Sequence, residues 1–155
     1  MLDLYEELLL VVRKLEQERI DYALCGGLAM AVYEVIRATV DIDLLILTQD
    51  VDKAMAAMLE LGFEFKAQPM VFAGGKIHIH RVSKIDPEAD YPLSVDFLLV
   101  TEELKGIWSD RHRVALEEES VWVVSKNGLI SLKEIRNNAQ DREDIQKLGG
   151  GHETR

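Results

Sequence analysis

Two aspartates two positions apart, Asp41 and Asp43, stand in the run Thr39-Val-Asp-Ile-Asp-Leu-Leu-Ile-Leu47. Side chains alternate across a strand, and Leu44 to Leu47 is apolar on both faces, so residues 39–47 read as a strand covered on both sides. On it Thr39, Asp41, Asp43 and Leu45 share one face, while Val40, Ile42 and Leu44 take the other. The two carboxylates are then separated by roughly 6.5–7 Å along the strand axis. Partly desolvated like charges at that distance raise each other's pKa. A divalent cation between them removes the penalty. Arg37, the nearest basic residue, is the rival as a salt-bridge partner, but one arginine neutralises only one of the two acids.

A third acid has a similar setting. Leu93 to Val100 reads as another apolar strand with Asp96 inside it, flanked by Val95 and Phe97. A carboxylate there is a buried polar group that needs a partner, and a neighbouring strand could bring it beside Asp41 and Asp43. Upstream, Asp21 to Cys25 reads as a short core strand, followed by Gly26-Gly27 and by a helix opening at Leu28. Such a strand-to-helix turn lets a ligand approach the backbone and offers free helix amides to a phosphate. For a glycine pair taken alone, a tight turn needing positive φ is the plainer reading.

Gly26-Gly27, Arg37-x-Thr39-x-Asp41-Ile42-Asp43 and Ser94-Val-Asp96-Phe-Leu-Leu-Val100 together resemble the nucleotidyltransferase superfamily that shares the DNA polymerase beta fold. More narrowly, they look like its small bacterial and archaeal members, several of which sit in toxin-antitoxin or phage-defence operons. The likeness runs from about Ile20 to Leu148. It implies an α+β (mixed α/β) architecture: a central mixed β-sheet with helices packed on it and a short C-terminal helical segment. It also implies transfer of a nucleoside monophosphate from a nucleoside triphosphate to an acceptor hydroxyl, with release of pyrophosphate. By the same resemblance Asp41, Asp43 and Asp96 are the catalytic and metal-binding residues, and Mg²⁺ (or Mn²⁺) is the cofactor. Two ions about 3.5–4 Å apart would activate the hydroxyl and neutralise the leaving group. Asp96 would complete the site of the activating ion and take the hydroxyl proton.

The nucleotide-binding set implied is Gly26, Gly27, Arg37, Thr39 and Lys133. Relatives often carry Gly-Ser at the turn, whose hydroxyl contacts a phosphate. With Gly26-Gly27 that contact must come from backbone amides. Arg37 and Thr39 would position phosphates or orient Asp41, and Arg37 stands equally well as a structural counter-ion. Lys133 either reaches the triphosphate or pairs with Asp141 or Asp144. Relatives modify antibiotics, proteins or RNA ends, and the acceptor stays open, as does whether a partner or a second copy supplies acceptor contacts. A reading of another class also stands: a catalytically silent module of this fold that binds a protein partner, as in a toxin-antitoxin pair. The dullest reading makes the three acids salt-bridged structural residues.

Composition bounds these readings. At 155 residues, with 48% hydrophobic residues and three prolines, the chain can bury a core without disulfides. It reads as one domain over residues 1–148 with a flexible tail, 149–155, that holds Gly149 to Gly151. A formal net charge of −10 disfavours an extended nucleic-acid surface, which needs clustered Lys and Arg. Met1 leads into Leu-Asp-Leu-Tyr-Glu-Glu with no basic segment or long apolar run, and the single Cys25 suits a reducing compartment. The expected location is cytoplasmic, with no membrane segment.

The remaining elements supply the frame. Tyr5, Leu8, Leu9, Val12 and Leu15 recur at helical spacing over residues 2–19, and a second amphipathic helix covers 52–61. Residues 62–66, 70–72 and 76–83 predict strands. His78 and His80 share one face of the last of these and could reach the site or a metal, although solvated strand histidines are commoner. Residues 84–91 read as a loop and 101–110 as a polar stretch anchored by Trp108. Residues 113–124 read as a hairpin with its turn at Glu117-Glu-Glu119, and Ser125 as the cap of a helix leading into the C-terminal helical run.

Overall fold

The computed structural model describes residues 3–36, 38–87 and 91–149. Arg37, part of the loop expected at 84–91 and the tail beyond Gly149 lie outside the described residues. Within them the chain runs α1 (Leu4–Gln17), β1 (Ala23–Cys25), α2 (Gly26–Val32), β2 (Asp41–Ile46), α3 (Val51–Glu60), β3 (Phe65–Lys66), β4 (Met70–Phe72) and β5 (Ile77–Lys84). It continues through β6 (Leu93–Leu99), α4 (Lys105–Ser109), β7 (His112–Leu116), β8 (Glu119–Val123), α5 (Lys126–Arg136) and α6 (Ala139–Lys147). All eight described strands form one mixed sheet in the order β3-β5-β6-β2-β1-β8-β7, with β4 also paired to β5.

The two acid-bearing strands are its centre. β2 and β6 run parallel, with Asp41 opposite Ser94 and Asp43 opposite Asp96. Every residue of β6 is buried, and Ile42, Leu44, Leu45 and Ile46 of β2 are inaccessible to solvent. Continuous apolar runs of this kind belong to parallel strands covered on both faces. β1 is antiparallel to β2, with Cys25 opposite Asp43, and parallel to β8 at Leu24 and Val123.

Helices cover the sheet from both sides. α1 begins at Asp3, whose carboxylate accepts the Tyr5 N–H at 3.0 Å, and buries Leu8, Val11, Val12 and Leu15. It lies beside α3, tied by the Lys14–Glu60 ion pair. α5 starts at Ser125, whose hydroxyl accepts the Gly128 N–H at 2.9 Å, and ends at Asn137 in the left-handed conformation. α6 opens with an Asn138–Asp141 capping box. The mixed sheet, flanking helices and C-terminal helix pair are the architecture that the family resemblance implied. Among the described residues no helix is long and apolar enough to cross a membrane.

Three local departures have physical reasons. The helix expected from Leu28 starts at Gly26 itself. Regular β2 starts at Asp41 because Thr39 turns to pack on Gly27. The polar stretch 101–110 folds into a short 3-10 turn, Glu102–Leu104, and α4, because Leu104 and Ile107 reach the core.

Candidate active site

β2, β6 and β5 bring four charged side chains to one face. Asp41 and Asp43 leave β2 on the same side, Asp96 stands across the parallel ladder from Asp43, and Arg81 of β5 stands across the antiparallel ladder from Asp96. Arg81 donates from Nε to Asp96 Oδ1 at 2.7 Å and from Nη2 to Asp96 Oδ2 at 2.8 Å. The same Nη2 lies 3.6 Å from Asp41 Oδ2. The Asp96 side chain is only 6% exposed, against 32% for Asp41 and 36% for Arg81. The guanidinium therefore closes the inner end of the cluster and leaves Asp41 toward solvent.

The electrostatics follow from that placement. Burial pushes the Asp43 carboxyl up to about 7, with the Asp96 and Asp41 charges adding to the effect and Arg136 and Lys133 opposing it. Burial also raises Asp41, as does Asp96, while Arg81 pulls it back. The hydrogen bonds to Asp96 hold Arg81 firmly protonated. Asp41 and Asp43 thus carry negative charge that the protein only partly balances.

The glycine pair explains itself sterically. Gly26 has φ +70°, and a Cβ on it would fall 1.9 Å from Asp43 Oδ2. A Cβ on Gly27 would lie 2.9 Å from the Thr39 side chain. Both lie far inside van der Waals contact, so only glycines let α2 start against the acid-bearing strand. Thr39, held there, places its hydroxyl 3.4 Å from the Asp41 carbonyl. Cys25 is buried beside Asp43, and burial followed by the Asp43 charge pushes its thiol up, which keeps it protonated and unreactive.

Of the two places open to Lys133, the structure shows the pairing. Its side chain is 3% exposed, with Nζ 2.9 Å from Asp144 Oδ2 and 4.0 Å from Asp141 Oδ1, inside the α5–α6 interface. Arg136, one turn further along α5, is the cation that the sequence reading missed. Its guanidinium grips Asp141 through Nε at 2.8 Å and Nη2 at 2.7 Å, yet its side chain stays 38% exposed. A signal was present in the i, i+3 spacing of Lys133 and Arg136, which puts both on one helix face. Arg81 was missed as well, since nothing local marks the register that sets it opposite Asp96.

Two cavities meet at Asp43 and Arg136. A small one of about 50 Å³ lies between the sheet and α5, lined among others by Cys25, Gly26, Leu129 and Lys133. A larger cleft of about 300 Å³ is lined by Thr39, Asp41, Asp43, Arg81, Asp96 and Arg136, with Val40, Met70, Phe72 and Ile79 among its apolar residues. Met70 and Phe72 face the acids because their partners on β5, Ile79 and Ile77, share the face of Arg81. His78 and His80 occupy the opposite face of β5. There His80 stands opposite Phe97 and near Asp52, and the His78 ring meets the Gly75 carbonyl at 3.0 Å, so neither reaches the acids.

Among the described residues no group of three or more His, Cys, Asp or Glu side chains converges to hold a metal ion alone. Asp41 and Asp43 nonetheless offer hard oxygen donors with unbalanced charge beside an open cleft. Magnesium, commonly bound by one or two carboxylates together with substrate phosphates, fits that donor set. Asp96 is differently placed, since Arg81 already occupies both of its oxygens.

Comparison with known proteins bears on the family and the fold. The family model described as nucleotidyltransferase of unknown function (DUF6036) matches residues 1–149. No curated protein sequence matches significantly. Among solved structures, a Thermotoga maritima protein assigned provisionally as a nucleotidyltransferase superposes with a TM-score of 0.66 at 15% identity, covering 96% of this chain and 93% of its own. The lincosamide antibiotic adenylyltransferase LnuA, bound to lincomycin, gives 0.60 at 14% identity, covering 93% and 95%. ANT(2")-Ia in complex with adenylyl-2"-tobramycin gives 0.59 at 13% identity, covering 91% and 84%. Such identities show a shared fold; the family match, which takes in nearly the whole sequence, shows that the chain belongs to the nucleotidyltransferases of family DUF6036.

Proposed function

We propose that this nucleotidyltransferase moves a nucleoside monophosphate from a nucleoside triphosphate to the hydroxyl of a small acceptor, releasing pyrophosphate, with Mg²⁺ (or Mn²⁺) as its cofactor. The observation that carries the reading is that Asp41, Asp43 and Asp96 share one face and line one cleft, with Gly26 packed against the Asp43 carboxylate. Magnesium held by Asp41 and Asp43 would supply Lewis acidity at the α-phosphate.

The chain's own residues divide the rest of the work. Gly26, the partly exposed member of the pair, would offer its backbone amide to the β- and γ-phosphates, whereas Gly27 is buried under Thr39. Arg136 adds positive charge at the same end, where the two cavities join. Lys133 holds α5 on α6 and contributes a field rather than a contact. An ionised carboxylate has about four lone-pair positions, and Arg81 takes two of those on Asp96. The others remain to accept the proton of the attacking hydroxyl.

In-line attack puts the acceptor on the side of the α-phosphate away from the pyrophosphate. The glycine turn lies at β1, and β6, β5 and β4 follow on the other side of β2. The acceptor therefore lies toward Asp96, Arg81, Met70 and Phe72. The adenylyltransferases that share the fold act on small antibiotics or carry them bound, which supports a small-molecule acceptor.

Calorimetric titration with ATP, GTP, CTP and UTP, with and without Mg²⁺, tests the reading on the wild type and on Asp41→Ala/Asp43→Ala. Metal-dependent binding that disappears in the double variant is expected. A folded wild type that binds none of the four nucleotides refutes it and leaves the silent partner-binding module as the successor.

A further inference from the structure

We infer that Arg81 is a built-in counter-ion standing in the place of a second divalent cation, so that the nucleotide-free protein takes one divalent cation, at Asp41 and Asp43, and not two. The inference rests on the catalytic reading above and specifies the occupancy of that site.

Three features carry it. First, the guanidinium spans the gap between Asp96 and Asp41: it is bidentate on Asp96 and 3.6 Å from Asp41. Planar two-point pairing of arginine with a carboxylate is among the strongest charge-assisted contacts available to side chains, and it engages both oxygens of Asp96. Second, the contact is fixed by the fold. Arg81 and Asp96 are directly opposed on β5 and β6, which holds their Cβ atoms roughly 4.5–5.5 Å apart whatever their rotamers. Third, the charges close with one ion. With all three carboxylates ionised, as cation binding requires, they and Arg81 leave two negative charges, which one divalent cation balances. Lys133 and Arg136 are already matched by Asp144 and Asp141. A second cation would enter a neutral cluster against the guanidinium, at short range and partly out of water, where like-charge repulsion is large.

Mn²⁺, whose free ion is counted directly by paramagnetic resonance, provides the test on the full chain without nucleotide. The wild type is expected to bind one ion. Arg81→Met and Arg81→Gln are expected to bind two, or one ion roughly tenfold more tightly, because a positive charge has left the cluster. A merely structural role for Arg81 would not raise ion number or affinity. Circular dichroism confirms that each variant is folded, and the wild-type stoichiometry decides the matter even if both substitutions fail to fold. Two ions on the wild type overturn the inference. Loss of the ion in Asp43→Asn together with unchanged binding in both Arg81 variants overturns it while leaving the catalytic reading in place. An ion indifferent to all three substitutions overturns both.

Discussion

Replacing Asp43 by asparagine should make the metal-free protein more stable, and the gain should grow with pH. In the folded chain burial, Asp96 and Asp41 push this carboxyl from 3.8 to about 7. A carboxyl raised in this way stabilises the fold while protonated. Its contribution is fully present below the unfolded value and is lost as pH rises through the folded one. The whole span between the two values corresponds to about 4 kcal/mol as a ceiling. The cleft is open to water on the Asp41 side, so screening reduces the expected gain of Asp43→Asn at pH 8 to about 1–2 kcal/mol. At pH 4.5, only slightly above the unfolded value, the gap between variant and wild type should shrink to roughly one quarter of its size at pH 8. Asparagine keeps the shape that fits against Gly26, so packing is preserved. Urea denaturation in a chelator at the two pH values measures the effect, and repetition with Mg²⁺ should reverse the order, since only the wild type gains from the ion. An Asp43→Asn protein no more stable than wild type at pH 8, or a gap that does not change with pH, would refute the claim that Asp43 carries unbalanced charge.

Two further substitutions probe the supports of the site. Gly26→Ala forces a Cβ into the space of the Asp43 carboxylate at positive φ, and should cost about 1–3 kcal/mol in thermal or urea unfolding while weakening metal-dependent nucleotide binding; near-wild-type values in both measurements would sink the close-approach account. Lys133→Met leaves Asp144 buried without its ammonium partner and should destabilise the fold by about 3–5 kcal/mol, while adding Asp144→Leu should restore much of that loss in urea titration. If Lys133→Met instead kept full stability and lost nucleotide affinity, Lys133 would be a phosphate ligand and not a helix clamp.

Much of this site is readable from local pattern, and the unreadable part is of one kind. Asp41 and Asp43 were placed on one face by the two-residue period of a strand, and Asp96 was marked by an acid in an otherwise apolar run. Ser125 announced its helix as a cap, and the Glu117 to Glu119 run announced a hairpin turn. Arg81 could not be recognised in the same way. Its role depends on the β5–β6 register, which pairs residues fifteen apart, and shifting that register by one would have turned His80 toward the acids instead. Arg136 was hidden for a related reason: Lys133 and Arg136 share a helix face, and only the packing of α6 decides which is buried with Asp144 and which reaches the cleft. The helical character of residues 105–109 was masked by a five-residue length that carries too little periodicity to show.

The strand order also bears on how the protein comes to exist. β1, which ends at the glycine turn, is held between β2 and a parallel partner, β8, that follows about a hundred residues later, and β2 must wait for β6 in the same way. Closing such long loops is slow, because the entropy is lost before the contacts form. During folding the acids of β2 therefore remain hydrated, and the repulsion of Asp96 against Asp41 and Asp43 arises only when the central ladder closes. Arg81 arrives on the strand between β2 and β6 in the chain, as the neighbour of β6 in the sheet. A β5–β6 hairpin that forms first would deliver Asp96 to β2 already paired, and the most charged part of the molecule would then be assembled with one of its repulsions removed in advance.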